Sequence, residues 1–180
     1  MVKYSWLEET NKREEGFIML NGLLIVQLLL FCLIFTLIVK VAVIGGAVNG
    51  LYFYPKEVQD RVIENGLITR EAVERRRKIF MTAFYVVMLV ALVLIVRAWN
   101  HVTDYWTAYV QSVIFLEVMN WYDGIVIDKI WVGTSSFWKI PGTEDLPYVQ
   151  TWAQMAKKRG VLTVIWLIGS FLVAGIVALL

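Results

Sequence analysis

The sequence has few of the residues from which metal and disulfide sites are built. Its 180 residues include one cysteine, Cys32, and one histidine, His101. A single cysteine excludes an internal disulfide framework and a thiolate metal cluster. A single histidine excludes a multi-histidine metal or haem site within one chain. We therefore expect no metal and no other cofactor.

Charged residues are also scarce, and apolar residues are correspondingly abundant. Charged residues make up 18% of the chain and hydrophobic residues 59%, against about 25% and about 45–50% in soluble proteins. The apolar residues form blocks long enough for transmembrane helices, which need about 20 residues each. The net charge of +2 is too small to indicate a nucleic-acid partner. The composition predicts an integral membrane protein of one domain, with the lipid bilayer as its partner.

The order of apolar and polar segments predicts an all-α fold, a polytopic membrane helix bundle with four transmembrane helices and a partly helical cytosolic loop. The predicted segments are an outward-facing amino-terminal segment at 1–16, transmembrane helices at 17–44, 79–97, 105–127 and 161–180, and cytosolic loops at 45–78 and 128–159. In the first loop, Gly66 is placed to end a short helix and Thr69 to cap the next one. That second helix leads directly into the second span.

The distribution of lysine and arginine predicts the orientation, because basic residues near the ends of spans favour the cytosol. Both long loops are rich in them, and the connection between the second and third spans has none. We expect both long loops in the cytosol and both termini outside, in the inner (plasma) membrane.

The run Arg75, Arg76, Arg77 and Lys78 is a candidate site for anionic lipid headgroups. A topology signal without a specific ligand explains this run equally well.

The third predicted span differs from the others because it carries acidic residues. Glu117 falls at its centre, where an ionised side chain costs about 2.5–3.5 kcal/mol on insertion scales. At about 100° per residue, Glu117, Gly124 and Asp128 share one face of an α-helix, with Asn120 at its edge. Asp123 points away from this face. Gly124 would let another backbone or a ligand approach closely.

Predicted depth suggests partners for these residues on other helices. Gln27, Glu117 and Ser170 all fall near the middle of their spans, which predicts one buried polar cluster. Lys40 and Asp128 both fall near the inner interface, which predicts an ion pair. The cluster has three interpretations: structural hydrogen bonding between helices, a carboxylate that handles a proton or a cation, and a contact with a polar ligand or lipid headgroup.

Two features outside the spans are less informative. His101 and Asp104 are three residues apart, but a plain interfacial histidine is a better interpretation than a proton-transfer pair, since no nucleophile or metal ligand accompanies them. Trp138 and Ile140 are hydrophobic residues in the second loop. We expect them to be covered by the membrane surface, by the first loop or by another protein.

Three segments of the chain carry a resemblance to other proteins. They are Tyr54-Pro-Lys-Glu-Val-Gln-Asp-Arg-Val62, Met119-Asn-Trp-Tyr-Asp-Gly-Ile-Val-Ile-Asp128 and Pro141-Gly-Thr-Glu-Asp145. Together they resemble a group of small, uncharacterised bacterial four-helix integral membrane proteins, and the resemblance covers most of the chain. It implies a bacterial inner membrane and brings no activity, cofactor or site residue with it.

Three classes of function fit this sequence. The first is a small transport or channel-type protein with Glu117, Asn120 and Asp128 along a polar path, which predicts a homo-oligomer because one four-helix chain encloses little volume. The second is a non-catalytic subunit or regulator that binds a membrane partner protein through its cytosolic loops. The third is an interfacial lipid-handling enzyme with Asp123 and Asp128 as its carboxylates, although residues five apart point to different faces of an α-helix. The cost of a mid-membrane glutamate favours the first class over an enzyme.

Overall fold

A computed structural model describes residues 2–180, with side chains from residue 22 onward. The described residues form helices and no strand, which confirms the all-α prediction. The α-helices are α1 (Val2–Ala42), α2 (Lys56–Glu64), α3 (Arg70–Val93), α4 (Tyr105–Tyr122) and α5 (Trp152–Leu179). α3 continues in π-helical turns over Leu94–Trp99 and α4 over Asp123–Val132, and short 3-10 helices lie at Ala47–Phe53 and Ser136–Trp138. The predicted outward-facing segment at 1–16 lies outside the residues whose side chains are described.

Three helical segments are long and apolar enough to cross a membrane. They are Gly22–Ala42 in α1, Arg70–Trp99 in α3 with its π-helical turns, and Trp152–Leu179 in α5. α4 is not among them, because its 18 residues include Gln111, Glu117 and Asn120. The structure thus supports three of the four predicted transmembrane helices.

Local sequence explains where α2 ends and α3 begins. Gly66 follows α2 with a φ of +74°, a conformation that glycine adopts without a Cβ penalty. The Thr69 side chain then caps α3 by accepting a hydrogen bond from the backbone N–H of Ala72 at 3.3 Å. Both predictions about these residues are confirmed. α3 runs unbroken from Arg70 through the basic run into its apolar part.

The second loop is shorter than the sequence predicts. Thr151 and Gln154 form a capping box, in which each side chain accepts a hydrogen bond from the backbone N–H of the other residue, so α5 begins at Trp152. At the amino-terminal side of the loop, the π-helical turns extend α4 to Val132. The segment 128–159 therefore reduces to a loop of 133–151, and its two flanks become helix.

The helices form one bundle in which α4 packs along α5, and α1 packs on both α3 and α4. Aromatic pairs hold α1 in place: Phe31 meets Phe115 of α4 edge-on with ring centroids 5.5 Å apart, and Phe35 meets Phe84 of α3 at 5.7 Å. Residues 100–104 connect α3 to α4 at one end of the bundle, which we call the turn end. Residues 43–69 and 133–151 lie at the other end, the loop end.

The two long loops pack against each other at the loop end. The Tyr54 hydroxyl donates to the carbonyl oxygen of Trp138 at 2.6 Å, and Arg61 pairs with Asp145 at 3.3 Å. Burial raises the pKa of Tyr54, so its hydroxyl stays a donor. Trp138 and Ile140 are each 1% exposed. Of the three covers expected for these two residues, the first loop is the one that the structure shows.

Candidate functional site

A buried arginine joins α5 to the end of α4. Arg159 lies two turns into α5 and is 1% exposed. Two of its guanidinium nitrogens donate, one to Asp123 Oδ2 and one to Asp128 Oδ2, each at 2.6 Å. A buried charge requires partners of this kind, because an unpaired one is strongly destabilising. We call these three residues the ionic cluster.

The π-helical turns after α4 bring the two aspartates together. Residues five apart in an α-helix differ by about 140° around the axis. In a π-helix each hydrogen bond closes over five residues, so Asp123 and Asp128 lie on nearly the same face. The prediction that Asp123 and Asp128 point to different faces was therefore wrong. It assumed α-helical spacing through residue 128.

Gly124 makes room for this arrangement. A Cβ at Gly124 would lie 2.7 Å from Nε of Arg159 and 2.9 Å from Sδ of Met155. Both distances are shorter than an ordinary van der Waals contact, so a larger residue would force these side chains to move. A close approach at Gly124 is present as predicted, but it is made neither by another backbone nor by a ligand. The group that approaches is the side chain of an arginine on the neighbouring helix.

The ionic cluster continues toward the middle of α4 through neutral groups. The Asn120 side chain, 2% exposed, donates to the carbonyl oxygen of Arg159 at 3.1 Å and to Thr163 Oγ1 at 3.4 Å. The Thr163 hydroxyl in turn donates to Glu117 Oε2 at 2.7 Å. The predicted face of Glu117, Asn120 and Asp128 therefore lies against α5. We call the whole set the polar line; its members are Glu117, Asn120, Asp123, Asp128, Arg159 and Thr163.

Three atoms of the polar line are buried without a hydrogen-bond partner among the described residues. They are Glu117 Oε1, Asn120 Oδ1 and Arg159 Nε. Buried polar atoms are paired in most native structures, so an unpaired one calls for an explanation such as a functional role. The polar line thus has unused acceptors and a donor inside the bundle.

The ionic cluster also forms part of the wall of a cavity of about 290 Å³ at the loop end. Lys158 adds a second cationic side chain, and the remaining walls are mostly apolar and aromatic, from α1, α3 and Trp138. Small-molecule sites are typically concave and apolar with a few convergent polar groups, and they range from about 300 to 1,000 Å³. The cavity has this character and lies near the lower end of that range.

The predicted cluster of Gln27, Glu117 and Ser170 does not form. Gln27 Nε2 donates to Asn100 Oδ1 at 2.5 Å, and Asn100 Nδ2 donates to Gln111 Oε1 at 2.9 Å. We call these three amides the amide cluster; it lies near the turn end. Gln27 therefore lies level with Asn100 and Gln111, not with Glu117.

Two more predicted contacts are replaced by others. Ser170 is buried, but its hydroxyl donates to the carbonyl oxygen of Trp166 one turn earlier in α5. Lys40 is exposed and has no ion-pair partner within residues 22–180, and Asp128 is bonded to Arg159 instead. The predicted Lys40–Asp128 pair is therefore wrong, because a buried arginine on α5 reaches the same carboxylate.

The four basic residues that begin α3 differ in their surroundings. Arg76 is partly buried and donates to the side-chain oxygen of Asn49 in the first 3-10 helix. Arg77 pairs with Glu74 at 3.7 Å, and Arg75 and Lys78 are exposed. Of the candidate lipid-headgroup residues, Arg76 is therefore the one that the fold holds in place.

His101 and Asp104 have separate roles at the turn end. Asp104 caps α4 by accepting hydrogen bonds from the backbone N–H of Thr107 at 2.8 Å and from its hydroxyl at 2.7 Å. These bonds lower the pKa of Asp104. His101 is exposed. A helix cap explains the aspartate without a proton-transfer pair.

Sequence reasoning missed Arg159 and Thr163 as members of the site. Arg159 is the last residue of the predicted cytosolic loop at 128–159. The pattern Thr151-x-x-Gln154 was the available signal, since a capping box there starts α5 early enough to place Arg159 on a helix face. No comparable signal marks Thr163.

Comparison with known proteins gives no matching family model, no matching curated protein and no matching solved structure. The described residues contain no group of three or more His, Cys, Asp or Glu side chains that could hold a metal ion. Function must therefore be argued from the chemistry of the polar line and its cavity.

Proposed function

We propose that this chain is a small membrane transport protein whose polar line handles a proton or a small cation. One observation carries the proposal: the line leads from the cavity at the loop end to a buried oxygen of Glu117 that has no partner among the described residues. A carboxylate oxygen accepts either a proton or a cation. A carboxylate at membrane depth is a functional candidate by default.

The charges of the site support a cationic rather than an anionic substrate. Asp123 and Asp128 are matched by Arg159 and Lys158 around the cavity, so an ionised Glu117 would give the site one excess negative charge. A low-dielectric site with excess negative charge concentrates cations and repels anions. Arg159 would hold the two aspartates in position while Glu117 takes up and releases the ion.

In this proposal α4 is a fourth transmembrane helix. Its polar face lies against α5 and away from lipid, which is the usual arrangement for polar residues in membrane helices. The basic residues at the loop end support a cytosolic loop end and outward termini. The resemblance described above supports a bacterial inner membrane. One bundle of this size encloses little volume, so we propose a homo-oligomer.

The test is ion flux in vesicles that contain the purified protein, with a pH-sensitive dye inside for protons and potassium or sodium gradients for cations. We expect Glu117→Gln to reduce flux toward the level of protein-free vesicles, because a neutral amide takes up no proton near neutral pH and binds a cation more weakly than a carboxylate does. Thr163→Val should lower flux, and Thr163→Ser, which keeps the hydroxyl, should preserve it. Glu144→Gln, in an exposed loop, is the matched control. Wild-type flux in folded Glu117→Gln would refute the proposal.

A lipid-handling enzyme is the second candidate, and the position of the aspartates favours it. The π-helical turns place Asp123 and Asp128 beside Lys158 on a cavity with apolar walls. In this case Asp128→Asn would abolish turnover of phospholipid in vesicles, followed by mass spectrometry of the products, while Glu117→Gln would not. Native mass spectrometry addresses the subunit or regulator class, because a stoichiometric foreign subunit would identify the chain as an accessory protein.

A further inference from the structure

A groove of about 580 Å³ lies between α1 and α3 on the outside of the bundle. Its walls are apolar and include Ile38 and Val41 of α1 and Ile79 and Ala83 of α3. Both walls belong to segments that are long and apolar enough to cross a membrane. In a bilayer, the surroundings of this groove are acyl chains, and its volume lies within the range of about 300–1,000 Å³ typical of ligand sites.

The loop end of the groove is polar, unlike its walls. Asn49, Tyr52 and Arg76 line it there. Arg76 is partly buried, donates to Asn49, and has no ion-pair partner within residues 22–180. A guanidinium carries five N–H donors in a planar fork that matches a phosphate. One hydrogen bond to Asn49 leaves most of these donors for a ligand.

We propose that this groove binds an anionic phospholipid, with an acyl chain along α1 and α3 and the phosphate at Arg76. Charge complementarity selects the headgroup, because Arg76 has no ion-pair partner within residues 22–180 and the exposed Arg75 and Lys78 add positive charge beside it in the sequence. The apolar walls select the chain, which a soluble phosphate compound lacks. The proposal of a lipid site in this groove does not rest on the function proposed for the polar line.

The lipid site adjoins the candidate functional site. Tyr52 and Phe80 line both the groove and the cavity that contains the ionic cluster. A lipid in the groove would therefore rest on two side chains that also form a wall of the cavity. Occupancy of the groove would hold those side chains in place.

Native mass spectrometry of the full chain tests this proposal. The protein is released from vesicles of equal parts phosphatidylglycerol and phosphatidylcholine, and the lipid that stays bound is counted. We expect the wild type to retain phosphatidylglycerol preferentially. Arg76→Gln should lower that retention about five- to tenfold. Arg77→Gln is the matched control, since Arg77 is exposed and paired with Glu74, and it should change retention little.

A second variant tests the apolar part of the groove without changing charge. Ala83→Trp would fill the groove, and we expect it to lose bound lipid although Arg76 is intact. Equal losses in Arg76→Gln and Arg77→Gln would show diffuse surface attraction and overturn the proposal. Unchanged retention in Ala83→Trp, or equal retention of both lipids by the wild type, would also overturn it. If Arg76→Gln fails to fold by circular dichroism, the Ala83→Trp result decides.

Discussion

The two polar clusters inside the bundle differ in charge and in completeness. The amide cluster is neutral, joins α1, α4 and the segment after α3, and has no buried side-chain atom without a partner among the described residues. The ionic cluster joins α4 to α5, borders a cavity, and belongs to a line with three unpaired buried atoms. Polarity inside a membrane bundle therefore does not by itself mark a site. Unused hydrogen-bonding capacity beside a cavity is the better indicator.

The largest expected effect is on the ionic cluster. Arg159→Met would leave two carboxylates without their cation, and breaking a buried ion pair costs about 3–5 kcal/mol. The Asp123 and Asp128 side chains are 27% and 32% exposed, so solvent screening should bring the cost to the lower end. The free energy of unfolding in detergent micelles measures it. The triple variant with Asp123→Asn and Asp128→Asn should recover most of the loss; no recovery would show that Arg159 acts through packing alone.

A smaller effect is expected at the glycine that admits Arg159. Gly124→Ala would force Arg159 and Met155 to shift, and overpacking of this kind costs about 1–3 kcal/mol. Gly160→Ala on α5 is the matched control, because no atom lies within 4 Å of its added Cβ. It should be neutral or stabilise the helix by up to about 1 kcal/mol. The same unfolding measurement compares them, and equal effects would contradict the close approach at Gly124.

The smallest effect is expected in the amide cluster. Gln27→Leu removes one amide, but Asn100 keeps its hydrogen bond to Gln111. Hydrogen bonds between membrane helices contribute about 0.6 kcal/mol on average and at most about 1.7 kcal/mol. We expect a loss in this range and unchanged ion flux. A larger loss than that of Arg159→Met would reverse the comparison between the two clusters.

Much of the fold could be predicted from local sequence, but only part of the site. The helical class, three apolar spans, the cap at Thr69 and the close approach at Gly124 all follow from composition or short spacing. The face of Glu117 and Asn120 was also predictable, since α4 is regular there. The contacts predicted for Gln27, Ser170 and Lys40 were wrong. Counting residues along a span does not show which way a side chain faces around its helix.

The sequence by itself determined the helices and the three segments that can enter a membrane, because hydropathy and capping depend on neighbouring residues. The tertiary structure decided which polar groups meet. Arg159 lies 36 and 31 residues from Asp123 and Asp128, and packing of α5 on α4 brings them together. The structure also shows that Asp123 and Asp128 share a face, because π-helical turns change the rotation per residue. The presence of such turns cannot be predicted from α-helical periodicity.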